Sequence, residues 1–258
     1  MSRNFELLQQ LEKEPLPLQA PEPAMDMPPI AATIVPPLFP AQRLPGDDID
    51  TIAQAEEIKL LQRVFFLPRV DTPRVVVFSG IEQGDGCSSL CARIARLLAS
   101  QTRASVCLID ADVRSPSLHE SFEVENRAGL IAALSSDSPV RELVQPVAQE
   151  RLWLLASGAW NPNAFALLAS EQLRTRIAEL RREFDFVLID APPAAGFTDA
   201  MLLGQVTDGV VLIVRANTTR RVTAQKIVEE LQAVNVRILG TVLNQRSFPI
   251  PQKIYSRL

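Results

Sequence analysis

Two hydrophobic periodicities alternate along most of this chain. Short apolar runs of the strand type recur as "RVVVFS" from Arg74, "ASVCLIDAD" from Ala104, "RLWLLAS" from Arg151, "DFVLIDAPP" from Asp185, "GVVLIVRA" from Gly209 and "ILGTVLNQ" from Ile238. Between them lie stretches with apolar residues at helical spacing: Ser88–Ser100, "AGLIAALSS", "SPVRELVQP", "ASEQLRTRIAELRREF", "TDAMLLGQVT" and "TAQKIVEELQAVN". Strands that are apolar throughout, rather than at every second residue, are buried on both faces, and the intervening helices supply the cover. The pattern predicts an α/β fold: a doubly wound, mostly parallel sheet with helices on both faces. Ligands of such sheets bind beyond the carboxyl ends of the strands.

The alternation starts only after about residue 50. Half of the chain's 20 prolines precede that point, in pieces such as "EPLPLQAPEPAMDMPP" and "IVPPLFPAQRLPGDD". Proline removes backbone donors and fixes φ, so residues 1–50 are expected to form an extended, largely disordered tail, with a short helix over residues 3–13 as the exception. A spacer and a Pro-rich docking segment both fit that composition. Residues 51–258 form the folded domain. At its start, Ile52, Ala55, Ile58, Leu61 and Phe65 recur at helical spacing and Pro68 ends the run, predicting an amphipathic helix over 51–67. Its apolar face packs on its own domain or meets a neighbouring subunit.

Composition narrows the partners. With 47% apolar and 22% charged residues the chain is of the globular class, and a net charge of −4 without a dense basic run argues against nucleic acid. No apolar run reaches the roughly 18–20 residues that span a bilayer. The first residues lack the apolar block of a signal peptide. Three cysteines, an odd number without framework spacing, fit a reducing cytoplasm. The only histidine, His119, is far from them in sequence, which argues against zinc, and it is expected to be structural.

Candidate chemistry gathers at three predicted strand ends. "GIEQGDGCSS" opens a helix after the first strand. Gly84 and Gly86 tolerate positive φ, so successive N–H groups can form an anion nest beside the positive end of the helix, with Ser88 in the position of a Mg²⁺-holding hydroxyl. A plain linking turn is the competing reading, because G-x-x-x-x-G-K-[ST] is broken at Ile81 and at Cys87. "LIDADVRSP" places Asp110 and Asp112 at the end of the second strand, where two carboxylates need a cation or donors, and Arg114 is a candidate. "FVLIDAPP" places Asp190 at the end of a third, the location of a carboxylate that positions Mg²⁺ or water. Three such elements on one edge imply a nucleotide site.

In order, "GDGCSS", "LIDADVRSPSLHESF", "LASGAWNPNAFALLAS", "FDFVLIDAPP", "TDAMLLGQVTDGVVLIVRA" and "ILGTVLNQRSFPIP" resemble the bacterial tyrosine kinase family. These are P-loop proteins of the MinD/ParA-like fold, cytoplasmic partners of membrane chain-length regulators in capsule and exopolysaccharide synthesis. The resemblance implies ATP and Mg²⁺ bound by a phosphate loop of Gly84, Asp85, Gly86, Cys87, Ser88 and Ser89. Asp110 would act on the attacking hydroxyl, Asp112 and Ser88 on the metal, Asp190 on Mg²⁺ and its water, and Asn244 on adenine. It also implies peripheral placement at the inner membrane face, and assembly with copies of this chain or with an intact kinase.

Departures from the family pattern bear on activity. The family's self-association helix repeats Glu-x-x-Arg-x-x-Arg, where this chain has Glu56, Lys59 and Gln62. The family's C-terminal tyrosine cluster is reduced to Tyr255, either a lone phosphoacceptor or a packed aromatic. Cys87 replaces the loop lysine whose charge meets the β- and γ-phosphates, so weak binding with slow turnover is expected. Arg93 and Arg114 are the compensating cations that sequence position suggests. A thiol at a helix N-terminus is also expected to ionise more readily, which would make Cys87 reactive; space filling is the alternative. Three readings follow: an active tyrosine autokinase, a catalytically weakened nucleotide-binding regulator, and a partitioning-type ATPase. The last usually has a further lysine where this chain has Glu82.

Overall fold

The computed structural model describes residues 49–67 and 72–245. The tail through residue 48, Pro68 and Tyr255 lie outside the described residues.

A seven-stranded sheet carries the fold, built from β1 (Val75–Gly80), β2 (Val106–Asp110), β3 (Gln145–Pro146), β4 (Leu152–Leu155), β5 (Phe186–Ala191), β6 (Gly209–Arg215) and β7 (Ile238–Asn244). Their order across the sheet is β3-β4-β2-β5-β1-β6-β7. All neighbours run parallel except β3 and β4. Every residue of β1 and of β2 is buried, as unbroken Val-, Leu- and Ile-rich runs require.

Helices cover both faces. On one, α1 (Ile49–Leu61) and α2 (Cys87–Gln101) pack on Val76, Phe78, Leu108, Leu188 and Val211. The other is covered by α4 (Leu130–Ser135), α5 (Ala164–Leu168), α6 (Glu171–Glu183), α7 (Asp199–Gly204) and α8 (Arg221–Ala233), which bury Val75, Val77, Ile109 and Ile189. The short α3 (Leu118–Ser121) follows β2. The chain leaves β1 through α2 to reach β2 beyond β5, then crosses from β5 to β6 on the other side of β1. The ends of β1, β2 and β5 therefore meet where the winding reverses.

Three elements differ from the sequence expectation. The helix expected over 51–67 changes pitch at Gln62: residues Gln62–Phe66 form a π-helix, closed by Leu67 N donating to Gln62 O at 2.9 Å. The wider turn brings both Val64 and Phe65 into the core, with Phe65 edge-on to Phe186 at 5.4 Å. "SPVRELVQP" is not a helix but a 3₁₀ turn, Val140–Glu142, leading into β3, which pairs antiparallel with β4. Pro146 has no N–H to give a ladder and is tolerated there because β3 is the edge of the sheet. Helix α2 begins at Cys87, one residue before Ser88.

Candidate functional site

The loop between β1 and α2 is braced from several directions. Ile81, standing where the phosphate-loop pattern has its first glycine, is fully buried and continues β1: its N–H donates to Ile213 O at 2.9 Å. Asp85 turns its carboxylate inward, accepting from Glu82 N at 2.9 Å and facing Thr219 Oγ1 at 3.5 Å. From the end of β7, Asn244 Nδ2 donates to Asp85 O at 2.8 Å and Gln245 Nε2 to Gly84 O at 3.3 Å. Gly84 and Gly86 have φ of 85° and 78°, the left-handed region anticipated for a nest. At Gly86 a Cβ would come within 2.6 Å of Asn244 Nδ2, so only glycine lets the last strand close on the loop.

Gly86 caps α2, and the first helical hydrogen bond runs from Leu90 N to Gly86 O at 3.0 Å. The amides of Cys87, Ser88 and Ser89 precede it and have no helical carbonyl to bond. They form the positive end of a fifteen-residue helix.

Two aspartates face that helix end. Asp110 and Asp190 are paired positions on β2 and β5 and point to the α2 face of the sheet. Asp110 is fully buried. Its Oδ2 accepts from Ser117 N and Leu118 N, both at 3.0 Å, while Oδ1 is buried with no hydrogen-bond partner. Asp190 is 1% exposed, and neither of its oxygens has a partner. Burial raises Asp190 to about 7; the Ser88 hydroxyl and Cys87 thiol beside it oppose the rise without reaching hydrogen-bonding geometry, and the charges of Asp110 and Asp112 add to it. Asp110 rises to about 6, again chiefly by burial, with the Leu118 and Ser117 amides pulling it back.

Three buried carboxylate oxygens without donors, beside a helix N-terminus and a serine hydroxyl, fit a divalent cation or a hydrated metal–phosphate group. Among the described residues no cluster of three or more His, Cys, Asp or Glu side chains can hold a metal alone. Two carboxylates beside the Ser88 hydroxyl match the partial protein ligation of Mg²⁺, which keeps waters and takes one or two carboxylates with substrate phosphates. Asp112 is half-buried and its Oδ1 accepts from Arg114 N at 3.2 Å and Ser115 N at 3.0 Å.

The surroundings of Cys87, which is half-buried, oppose the expectation of a reactive thiol. Burial pushes the Cys87 thiol up, and the charge of Asp190 and the neighbouring Cys91 push it further. The two cations suggested by sequence position are also engaged elsewhere. Arg93 pairs with Glu57 on α1 at 2.5 Å, and Arg114 reaches Asp199 Oδ1 at 2.8 Å while lying over the Phe197 ring. Arg114 meets the Asp112 turn through its backbone N–H. Asn244 and Asp85, anticipated as nucleotide contacts, brace the loop in this structure. Glu56 and Lys59 form an exposed pair with each other at 2.7 Å, and Gln62 opens the π-helix. Missed altogether was Arg215 at the end of β6, whose guanidinium lies beside Gly84. The signal was available: an arginine closing an apolar strand at the ligand edge.

A phosphate-loop turn, a helix N-terminus and strand-end aspartates on a parallel sheet define a P-loop NTPase. The ParA family profile, described as NUBPL iron-transfer P-loop NTPase, matches residues 72–256. The chain is 35% identical to the tyrosine-protein kinase YwqD of Bacillus subtilis over 62% of its own length and 68% of that protein's. It is 30% identical to the putative tyrosine-protein kinase CapB of Staphylococcus aureus, over 64% of this chain and 72% of that one. It spans only 26% of the putative tyrosine-protein kinase EpsB of Ralstonia nicotianae, at 27% identity. Among solved structures, the chimerical protein CapA2B2 superposes with a TM-score of 0.71 at 27% identity, covering 75% of this chain and 85% of that one. The cell-division protein MinD of Pyrococcus horikoshii, solved with Mg-ADP, shares the fold at 20% identity and a TM-score of 0.58. The chain belongs to the bacterial tyrosine kinase family of ParA-type P-loop proteins.

Among the described residues no helix is long and apolar enough to cross a membrane.

Proposed function

We propose that this protein binds ATP with Mg²⁺ at the β1–α2 loop and acts in capsule or exopolysaccharide synthesis as a nucleotide-responsive regulator whose phosphoryl transfer is weakened by Cys87. The observation that carries the reading is the Asp110–Asp190 pair. Two registered carboxylates with oxygens buried and unsatisfied are costly in a protein that holds nothing there.

Each residue has a task in this reading. The amides of Gly86 through Ser89 hold phosphate oxygens, and Ser88 with Asp190 takes the metal, joined by Asp112. Bound Mg²⁺ would neutralise charge on the terminal phosphates. Asp110, held by two amides through Oδ2, keeps Oδ1 to accept the proton of an attacking hydroxyl, for which Tyr255 is the candidate acceptor. Asn244 Oδ1 forms no hydrogen bond among the described residues and can take the adenine amine while Nδ2 keeps its grip on the loop. Cys87 offers the phosphates no positive charge. Removing one aimed neutral donor costs about 10²–10³ in rate, and a charged one at least as much.

The partner in this reading is a membrane chain-length regulator that brings the protein to the inner membrane face. The exposed Glu56–Lys59 side of α1 is the surface for assembly with further copies or with an intact kinase. Nucleotide binding to the full chain with and without Mg²⁺ tests the proposal. Saturable, metal-dependent binding with little label transferred from ATP is expected. Rapid transfer that Tyr255→Phe abolishes would establish the autokinase instead, and no binding at all would leave a scaffold.

A further inference from the structure

We propose that Arg215 supplies, from the end of β6, the positive charge toward a bound polyphosphate that the loop lacks at Cys87. The inference rests on the nucleotide-binding reading above and assigns a residue to it.

Strand β6 is placed to deliver a side chain to the loop. It pairs with β1 so that Gly80 registers with Ile213, and Ile213 O receives Ile81 N. Arg215 lies two residues further along, beyond the point where the chain leaves β1 for the loop. Its backbone is fixed there: Arg215 N donates to Thr219 Oγ1 at 3.1 Å, and Arg215 O accepts from Thr219 N at 3.2 Å. The neighbouring Ala216 N donates to Asn244 O at 2.9 Å, tying this corner to β7, whose Asn244 and Gln245 hold the loop carbonyls.

The side chain reaches back over the turn. A Cβ on Gly84 would stand 4.0 Å from Arg215 Nη1. Gly84 is exposed and has φ of 85°, so the guanidinium lies against bare backbone of the anion nest. Among the described residues the Arg215 guanidinium has no ion-pair or hydrogen-bond partner. The carboxylate of Asp85, next to Gly84 in the loop, is turned inward to Glu82 N and Thr219. By contrast Arg93 and Arg114, on the other elements around the site, are both paired. A cation left free beside an anion nest suits phosphate. Guanidinium presents a planar fork to two phosphate oxygens and stays charged at any working pH.

Titration of the full chain with a fluorescent ATP analogue in Mg²⁺ tests this, with ADP and AMP analogues alongside. Arg215→Ala should weaken ATP binding about 10-fold or more, the cost of losing a charge-assisted contact. The loss should shrink from ATP through ADP to AMP, which a merely structural role would not produce. Arg215→Lys should keep most of the affinity. Cys87→Lys should restore binding to Arg215→Ala by returning the charge from the loop itself. Arg215→Gln, neutral and similar in length, serves as the second variant if alanine disturbs folding. Unchanged ATP affinity in the neutral variants, or a loss equal for all three nucleotides, would overturn the assignment while leaving the nucleotide site standing. Absence of binding in wild type and in Cys87→Lys alike would overturn both.

Discussion

Asp110 and Asp190 lie side by side in register on adjacent parallel strands, each with at least one carboxylate oxygen that nothing in the described structure satisfies. The strain of that arrangement is electrostatic, and it should be visible in the free protein.

Both groups are held above the ordinary 3.8, Asp110 at about 6 and Asp190 at about 7. A raised carboxyl favours the folded state only while protonated. The contribution is complete below pH ~4 and is lost as pH climbs through the folded values, so the metal-free protein should lose stability between pH ~4 and ~7. Denaturant titrations across that range should show the decline. Asp190→Asn should flatten it and add on the order of 2 kcal/mol at pH 8. A wild-type curve rising with pH would contradict the arrangement.

Cys87 should be a sluggish thiol. Burial and Asp190 both oppose its ionisation. Alkylation followed by mass spectrometry at pH 7.5 should label it more slowly than free cysteine, and Asp190→Asn should speed the reaction. Faster labelling than free cysteine would mean that the helix end dominates after all.

Restoring the loop charge should restore chemistry. Cys87→Lys is expected to raise ATP hydrolysis or label transfer by about 10²-fold, the scale of one electrostatic contact to the transition state. A variant that folds, binds no more tightly and turns over no faster would show that the defect lies elsewhere.

Arg114 has a structural task. Asp199 is fully buried and Arg114 is the partner it reaches, at 2.8 Å. Arg114→Ala should destabilise the protein by about 3 kcal/mol by stranding a buried charge, and Asp199→Asn in that background should recover much of the loss. The double-mutant cycle in urea measures the coupling. Additive effects would deny the pairing.

Much of this architecture can be read in advance because its signals are redundant. Wholly apolar strands, periodic helices and strand-end aspartates each point to the same sheet edge, so no single residue decides the fold. The Asp110–Asp190 pairing follows once "LIDAD" and "VLIDA" are taken as parallel neighbours. What could not be read are directions of side chains across the chain. The Pro146 strand is too short for any periodicity. Arg93 and Arg114 are near the site in sequence, yet their guanidinium groups go to Glu57 and Asp199. Arg215, more than a hundred residues from the loop, is brought to it only by the β1–β6 pairing. Cys87 stands at a helix end that favours a thiolate, but burial, and after it Asp190, push its thiol the other way, and neither can be read from the loop sequence.

The grip of Asn244 and Gln245 on the loop carbonyls carries a mechanical corollary. Asn244 closes β7 and Gln245 follows it, and β7 pairs with β6 rather than with β1. A shift of that strand end is therefore transmitted to the β1–α2 turn through two amide side chains, making the outermost parallel strand a handle on a loop two strands away.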